Sequence, residues 1–249
     1  MSANEHHAYS DVTDINSLKR VRDEIEECLP KIRGVANGAL VLRDRFFLNM
    51  EFDAFQTVMR PKALGTTNLD NIFNEDTLDW FIAFSSIVAS LGNPGQSAYS
   101  AANCYVKALI NKRRQRGLPG TTIDVGMIVG VGYVEEMKAT GFATEKMVDK
   151  MESAVMPMSE SDLHQLFAEA VVASRPDSGR HSDLVTGLRT LSSEDMDKAF
   201  WATNIKFSHF IRERVVSRQA SDDNVDRVPV RTQLLEANST DDAAKIISG

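Results

Sequence analysis

LDWFIAFSSIVASLGNPGQSAYSAANCYVKALINKRRQRGLPGTTIDVG, Leu78 to Gly126, is the stretch whose reading decides the fold. Leu78 to Ser86 is continuously apolar rather than alternating, which is the habit of a strand buried on both faces of a helix-covered parallel sheet. GNPG then turns the chain, Ser97 to Arg116 has helical periodicity, GLPG ends that helix, and TTIDVGMIV reads as a second strand. On the N-terminal side, Glu51 to Phe73 reads as a long helix broken or bent near Pro61. Before it, IRGVANGALVL reads as a short strand running into a loop whose glycines allow close backbone approach. Ile15, Leu18, Val21 or Arg22, Ile25 and Leu29 place an amphipathic helix ahead of that strand, with Thr13 or Asp14 as cap and Pro30 closing it. Strand, helix, strand, helix, strand is a doubly wound α/β pattern.

Downstream of Gly130 the regularity weakens. The methionine-rich VGYVEEMKATGFATEKMVDKMESAVMP reads as a lid over a cleft, SESDLHQLFAEAVVAS as a helix and DLVTGL as a short strand. From about Arg212 to Asp223 the composition turns charged and serine-rich, as linkers are, and the tail VPVRTQLLEANSTDDAAKIISG has helical periodicity.

The chain has 249 residues, 43% of them hydrophobic, enough for one sizeable core. With 28 Lys and Arg against 35 Asp and Glu, its net charge of -7 argues against a nucleic-acid binder. Cys28 and Cys104 lie far apart with no C-x-x-C, and the five histidines are scattered, so neither a metal site nor a disulfide framework is indicated. The N-terminus has no basic and apolar leader, and no window reaches the roughly 18 apolar residues of a spanning helix. The expectation is a cytoplasmic protein in a reducing compartment, without membrane contact.

Within the deciding stretch, Tyr99 and Asn103 are four apart and share a helix face, with Ala98, Ala101, Ala102, Tyr105 and Leu109 read as the packing stripe. Ser85 and Ser86 end a buried strand, where ligands sit in open α/β sheets, and Lys62 on the preceding helix is within reach. Together these groups suit proton transfer coupled to carbonyl reduction. A tyrosine of ordinary pKa about 10 protonates a developing alkoxide, a nearby ammonium lowers that pKa, and a serine hydroxyl polarises the carbonyl. Taken alone, each residue favours the packed edge of a sheet, and spacing leaves both readings open.

The segments GVANGALVLRDR, RPKALGTTNLD and the deciding stretch occur in an order and at intervals that resemble the ketoreductase domain of polyketide synthases, a branch of the short-chain dehydrogenase/reductases. The resemblance runs from about Tyr9 to Phe210 and is greatest to fungal highly reducing synthases and their peptide-synthetase hybrids. It implies that Tyr99, Ser86, Lys62 and Asn103 form the catalytic set, Ser86 rather than Ser85 because it stands thirteen before Tyr99. Asn103 stands where many stand-alone reductases have lysine. The resemblance further implies NADPH, with Asp11 and Val12 of SDVTD at the adenine, Asn37, Gly38 and Ala39 along the ribose and nicotinamide, and Gly126, Met127 and Ile128 at the carboxamide. LRD, Leu42 to Asp44, resembles a motif that marks one stereochemical class in bacterial modules.

A dinucleotide fold opens with a strand, a glycine-rich turn and a helix whose N-terminus cradles pyrophosphate. Here the first matching element corresponds to the family's third strand, and the G-x-G of Gly130 and Gly132 follows the wrong strand. The expected fold is therefore a Rossmann-like doubly wound parallel sheet lacking the first two strands and the glycine-rich turn, with an open edge and weak NADPH binding by this chain alone. Residues 1–211 are expected to form a partial ketoreductase domain with a lid and C-terminal elements, 212–229 a linker, and 230–249 the start of a truncated acyl carrier domain. The implied function is NADPH-dependent reduction of the β-keto group of a phosphopantetheine-linked acyl chain on a carrier domain, among neighbouring synthase domains. A non-catalytic relic or binding module, and a reductase of free small carbonyl compounds, are the alternatives.

Overall fold

The computed structural model describes residues 8–75, 78–132, 139 and 153–212. The chain divides into two compact units, residues 1–213 and 214–249, and every described residue belongs to the first. The linker and carrier-like tail expected beyond residue 212, and most of the expected lid, lie outside the described residues.

Four strands, β1 (Gly34–Asn37), β2 (Trp80–Ser86), β3 (Thr121–Val125) and β4 (Asp183–Val185), form one parallel sheet in the order β1-β2-β3-β4. Helix α1 (Ile15–Cys28) precedes the sheet, and each crossover carries helix: α2 (Phe52–Ile72), then α3 (Val88–Leu91) with α4 (Ser97–Gln115), then α5 (Glu160–Ala173). The continuous apolarity of β2 has its cause here. Phe81 and Ala83 pack against Val106 and Ile110 of α4 on one face, while Ile82 packs with Ile123 and Ala170 of α5 on the other. Caps set the helix starts: the Asp14 carboxylate accepts from the backbone N–H of Asn16 and Ser17, and Ser159 with Asp162 makes a capping box on α5.

Three local expectations change. Helix α2 runs unbroken through Pro61. The lost hydrogen bond and ring clash cost about 3 kcal/mol, against which the helix buries Val58 and packs Leu69 and Ile72 onto the core. On α4 the buried stripe is Ala98, Ala102, Val106 and Ile110, whereas Ala101 and Tyr105 face solvent. Two apolar four-spaced stripes compete on this helix, and the sheet selects the one that also buries Asn103 and Arg113. Finally, β3 ends at Val125, and the GMIV that follows continues only as an isolated parallel bridge from Ile128 to Met158.

A second core, not legible in the sequence, gathers around Trp201, whose indole N–H donates to the Ala154 carbonyl at 2.5 Å and whose ring meets Phe207 edge-on at 5.6 Å. Beside it, β5 (Leu191–Ser192) and β6 (Ile211–Arg212) pair in parallel. Among the described residues only β2 pairs with β1, which leaves the outer edge of β1 without a strand partner, and no helix is long and apolar enough to cross a membrane.

An ionic lock fixes α2 to α4 at the end remote from Tyr99. The fully buried Arg113 guanidinium stacks 4.5 Å from the Phe81 ring centroid, donates to the Pro119 carbonyl at 2.6 Å and reaches Asp70 at 2.7 Å. Arg116 donates to the same carboxylate. Removing one partner of a buried pair strands the other charge. Asp70→Ala is expected to lower unfolding free energy by about 3–5 kcal/mol in urea denaturation followed by circular dichroism; a loss no larger than that of a surface substitution would contradict this assignment.

Candidate active site

Tyr99 lies in the first turn of α4, with Asn103 one turn further along the same face. The Asn103 amide N–H donates to the Tyr99 carbonyl at 2.9 Å, while its Oδ1 is buried without a hydrogen-bond partner among the described residues. Facing them from α2, Lys62 is only 3% exposed. Its ammonium donates to the Phe84 carbonyl at 2.6 Å and lies 5.7 Å from the Tyr99 ring centroid. Phe84 is two residues before Ser86, so this one bond ties the lysine helix to the strand end that carries the serine. Ser86 Oγ accepts from the Val88 N–H at 3.3 Å and faces the Tyr99 side chain. The four residues named from the sequence thus converge at the C-terminal end of the sheet.

Their electrostatics differ from the sequence expectation. Burial raises the Tyr99 phenol above its ordinary pKa; the Ser86 and Asn103 side chains pull it back, and the carboxylates of Asp44 and Asp124 push it further up. The net shift is upward despite the Lys62 ammonium over the ring, and burial lowers the lysine's own pKa from 10.5 to about 8.

The residues named for a cofactor lie at the strand ends and on the loops that follow or precede them. Asn37 ends β1, donates to Thr66 Oγ1 at 2.8 Å and accepts from the Ala39 N–H at 3.1 Å; Thr66 in turn donates to the Lys62 carbonyl at 2.5 Å. Gly38 is exposed in the same turn. Val12 sits over Gly65, where any Cβ would come within 2.8 Å of its side chain, and its carbonyl accepts from Asn68 of α2. The Asp11 carboxylate accepts from the Thr13 N–H, which lowers its pKa. After β3, the Gly126 N–H donates to Thr186 Oγ1, and Met127, buried in the second core, gives its carbonyl to the Met158 N–H. The bridge is bonded through Met127 and Val129, so the N–H and C=O of Ile128 point away from Met158.

Two groups near Tyr99 were not singled out as site residues. Gln96, three before Tyr99, donates to the Asp44 carboxylate at 2.8 Å, and the Arg45 N–H donates to the Gly95 carbonyl, which ties the LRD loop to the turn before α4. Asp124 is fully buried and salt-bridged to Lys107 at 2.5 Å. Its signal was in the sequence: it is the one charged residue inside the apolar TTIDV.

The chain belongs to the KR domain family, whose model matches residues 2–130. It is 44% identical over 237 residues to the Hybrid PKS-NRPS synthetase mpsA of Macrophomina phaseolina, and 42% identical over 239 residues to the Trichosetin synthetase PKS-NRPS1 of Gibberella fujikuroi. These alignments cover 95% and 96% of this chain, which spans only about 6% of each relative's length. Among solved structures it is similar to PlmKR1, the ketoreductase from the first module of phoslactomycin biosynthesis in Streptomyces sp. HK803. That match has a TM-score of 0.60 and 25% identity, and covers 71% of this chain and 37% of that one. An A1-type ketoreductase at 22% identity, also with a TM-score of 0.60, shares the fold. The fold is thus the Rossmann-like parallel sheet of the ketoreductases.

Because the folded state binds the Lys62 proton less tightly than the unfolded chain, which titrates near 10.5, stability rises with pH between about 8 and 10.5. Below that window the buried ammonium costs about 3 kcal/mol, at roughly 1.4 kcal/mol per pKa unit. Lys62→Met is expected to be more stable than the parent at pH 7 and to lack this rise in urea denaturation from pH 7 to 10.5; equal pH slopes in both proteins would show that Lys62 is not buried as described.

Proposed function

We propose that the site reduces the β-keto group of a polyketide acyl thioester, carried on the phosphopantetheine arm of an acyl carrier domain, to a β-hydroxyl with NADPH. The observation that carries this reading is Lys62: a nearly inaccessible ammonium, held on the Phe84 carbonyl and over the Tyr99 ring, is a costly arrangement that packing alone does not call for. Family membership supports the same chemistry.

The described residues fit the nicotinamide side of the cofactor. The Asn37–Ala39 turn and the Gly126–Ile128 segment end the strands on either side of β2, and Ile128 keeps its peptide groups turned away from Met158. When bound, NADPH supplies hydride to the carbonyl carbon. Ser86 donates a hydrogen bond to the carbonyl oxygen and stabilises the charge that develops there. Tyr99, kept protonated by burial, delivers its proton to the alkoxide. Lys62 stabilises the phenolate left behind, and the free Oδ1 of Asn103 orients the group that returns the proton.

In the same reading residues 1–211 are the reductase portion, 212–229 a linker, 230–249 the start of a carrier domain, and neighbouring synthase domains are the partners. With NADPH in large excess and a β-ketoacyl thioester, absorbance at the nicotinamide band is expected to fall, and Tyr99→Phe to slow this at least 100-fold, in the range of general acid catalysis. Unchanged turnover in Tyr99→Phe would remove Tyr99 from the reaction.

A further inference from the structure

Behind the Tyr99 site lies a buried charged cluster that the proposed reaction does not use. Asp124, on β3, is fully buried. Its Oδ2 accepts from Lys107 of α4 at 2.5 Å and from Ser90 of α3 at 3.4 Å, and its backbone carbonyl accepts from the Thr186 N–H and Oγ1 beyond β4. Across the sheet its register partner is Ser85 of β2. The Ser85 hydroxyl and Asp124 Oδ1 are both buried without a hydrogen-bond partner among the described residues; burial raises the Asp124 pKa, while Lys107 and Ser85 favour the ionised carboxylate.

The elements meeting at Asp124 are those that carry the site. Lys107 lies two turns after Tyr99 and one turn after Asn103 on α4, Ser85 is the residue before Ser86, and Ser90 lies in the turn that leaves Ser86. Burial makes an unpaired carboxylate here costly. The ion pair therefore exists only when α4 is seated on the β2–β3 strand ends.

We propose that Asp124, clamped by Lys107, is a positioning residue that holds Tyr99 against the Ser86 strand end. The inference rests on the ketoreductase reading for its functional meaning, but its geometric content concerns Tyr99 alone. The charged groups facing Tyr99 are Lys62 from α2, Asp44 from the loop after β1 and Asp124 from β3, and α4 itself contributes Lys107 through Asp124. Asp44 provides the comparison, because its carboxylate acts on the phenol through charge and holds Gln96 in the turn before α4, but does not bridge the strand ends.

The test uses the full chain labelled with 3-fluorotyrosine, the Tyr99 resonance being assigned by its loss in Tyr99→Phe. Folding of every variant is checked first by urea denaturation, and Asp124→Asn keeps the carboxylate's shape. Asp124→Asn is expected to shift the Tyr99 resonance at neutral pH by more than Asp44→Asn does, and to raise its ionisation constant. Lys107→Met is expected to shift the resonance likewise, and Lys107→Arg to restore it. In the thioester assay, Asp124→Asn is expected to lower kcat roughly 10- to 100-fold, the scale of a small misplacement, with KM changed less than about two-fold. A folded Asp124→Asn whose Tyr99 resonance is unmoved, or moves no more than in Asp44→Asn, overturns the proposal whatever the turnover. A parent chain without turnover overturns the ketoreductase reading, and the fluorine titration still decides the role of Asp124. If Asp124→Asn does not fold, the comparison of Lys107→Met with Lys107→Arg decides it by the same criterion.

Discussion

The bond from the Lys62 ammonium to the Phe84 carbonyl joins the two halves of this molecule's chemistry. A lysine drawn out of water needs an acceptor, and the one it finds is a backbone group two residues before Ser86. Helix α2 must then lie close against β2, which the small residues along it allow: Gly65 has no room for a side chain beneath Val12, and Thr66 turns its hydroxyl back to the Lys62 carbonyl. Through Thr66 the same segment holds Asn37 at the end of β1. One buried charge thus fixes the spacing between a helix and two strand ends.

Helix α4 completes the arrangement from the other side. Its buried stripe of Ala98, Ala102, Val106 and Ile110 lets the backbone approach the sheet, bringing Tyr99 and Asn103 to the strand ends and Arg113 to the opposite end. The two polar anchors differ in kind. Arg113 and Asp70 lock helix to helix far from the site, whereas Lys107 and Asp124 lock helix to sheet directly behind it. Burial of the phenol keeps it protonated, which suits the proton donor of the proposed reaction.

Much of this was legible in the sequence because it rests on local rules. The continuous apolarity of β2 and the four-residue spacing of Tyr99 and Asn103 follow from backbone periodicity, the α1 cap narrows to Thr13 or Asp14, and the convergence of Lys62 follows from helix before strand in a parallel sheet. What was not legible depends on tertiary choice. Pro61 does not break α2, because burial along the helix outweighs the local cost. The stripe on α4 could not be chosen between two apolar rows without the sheet beneath it. The direction of the Tyr99 shift depends on burial and on carboxylates at positions 44 and 124, contributed by distant segments. The core around Trp201 is assembled from short pieces with no periodicity to announce it.

The central claim is that the group gathered at Tyr99 directs hydride to a β-carbonyl carbon. Incubating the chain with NADPH deuterated at nicotinamide C4 and a β-ketoacyl thioester, followed by mass spectrometry of the product, tests it most directly. The account predicts a β-hydroxy thioester with one deuterium on the carbinol carbon, transferred from one face of the nicotinamide only. Recovery of the β-keto thioester unchanged, or of a hydroxy product free of deuterium from either face, would contradict it.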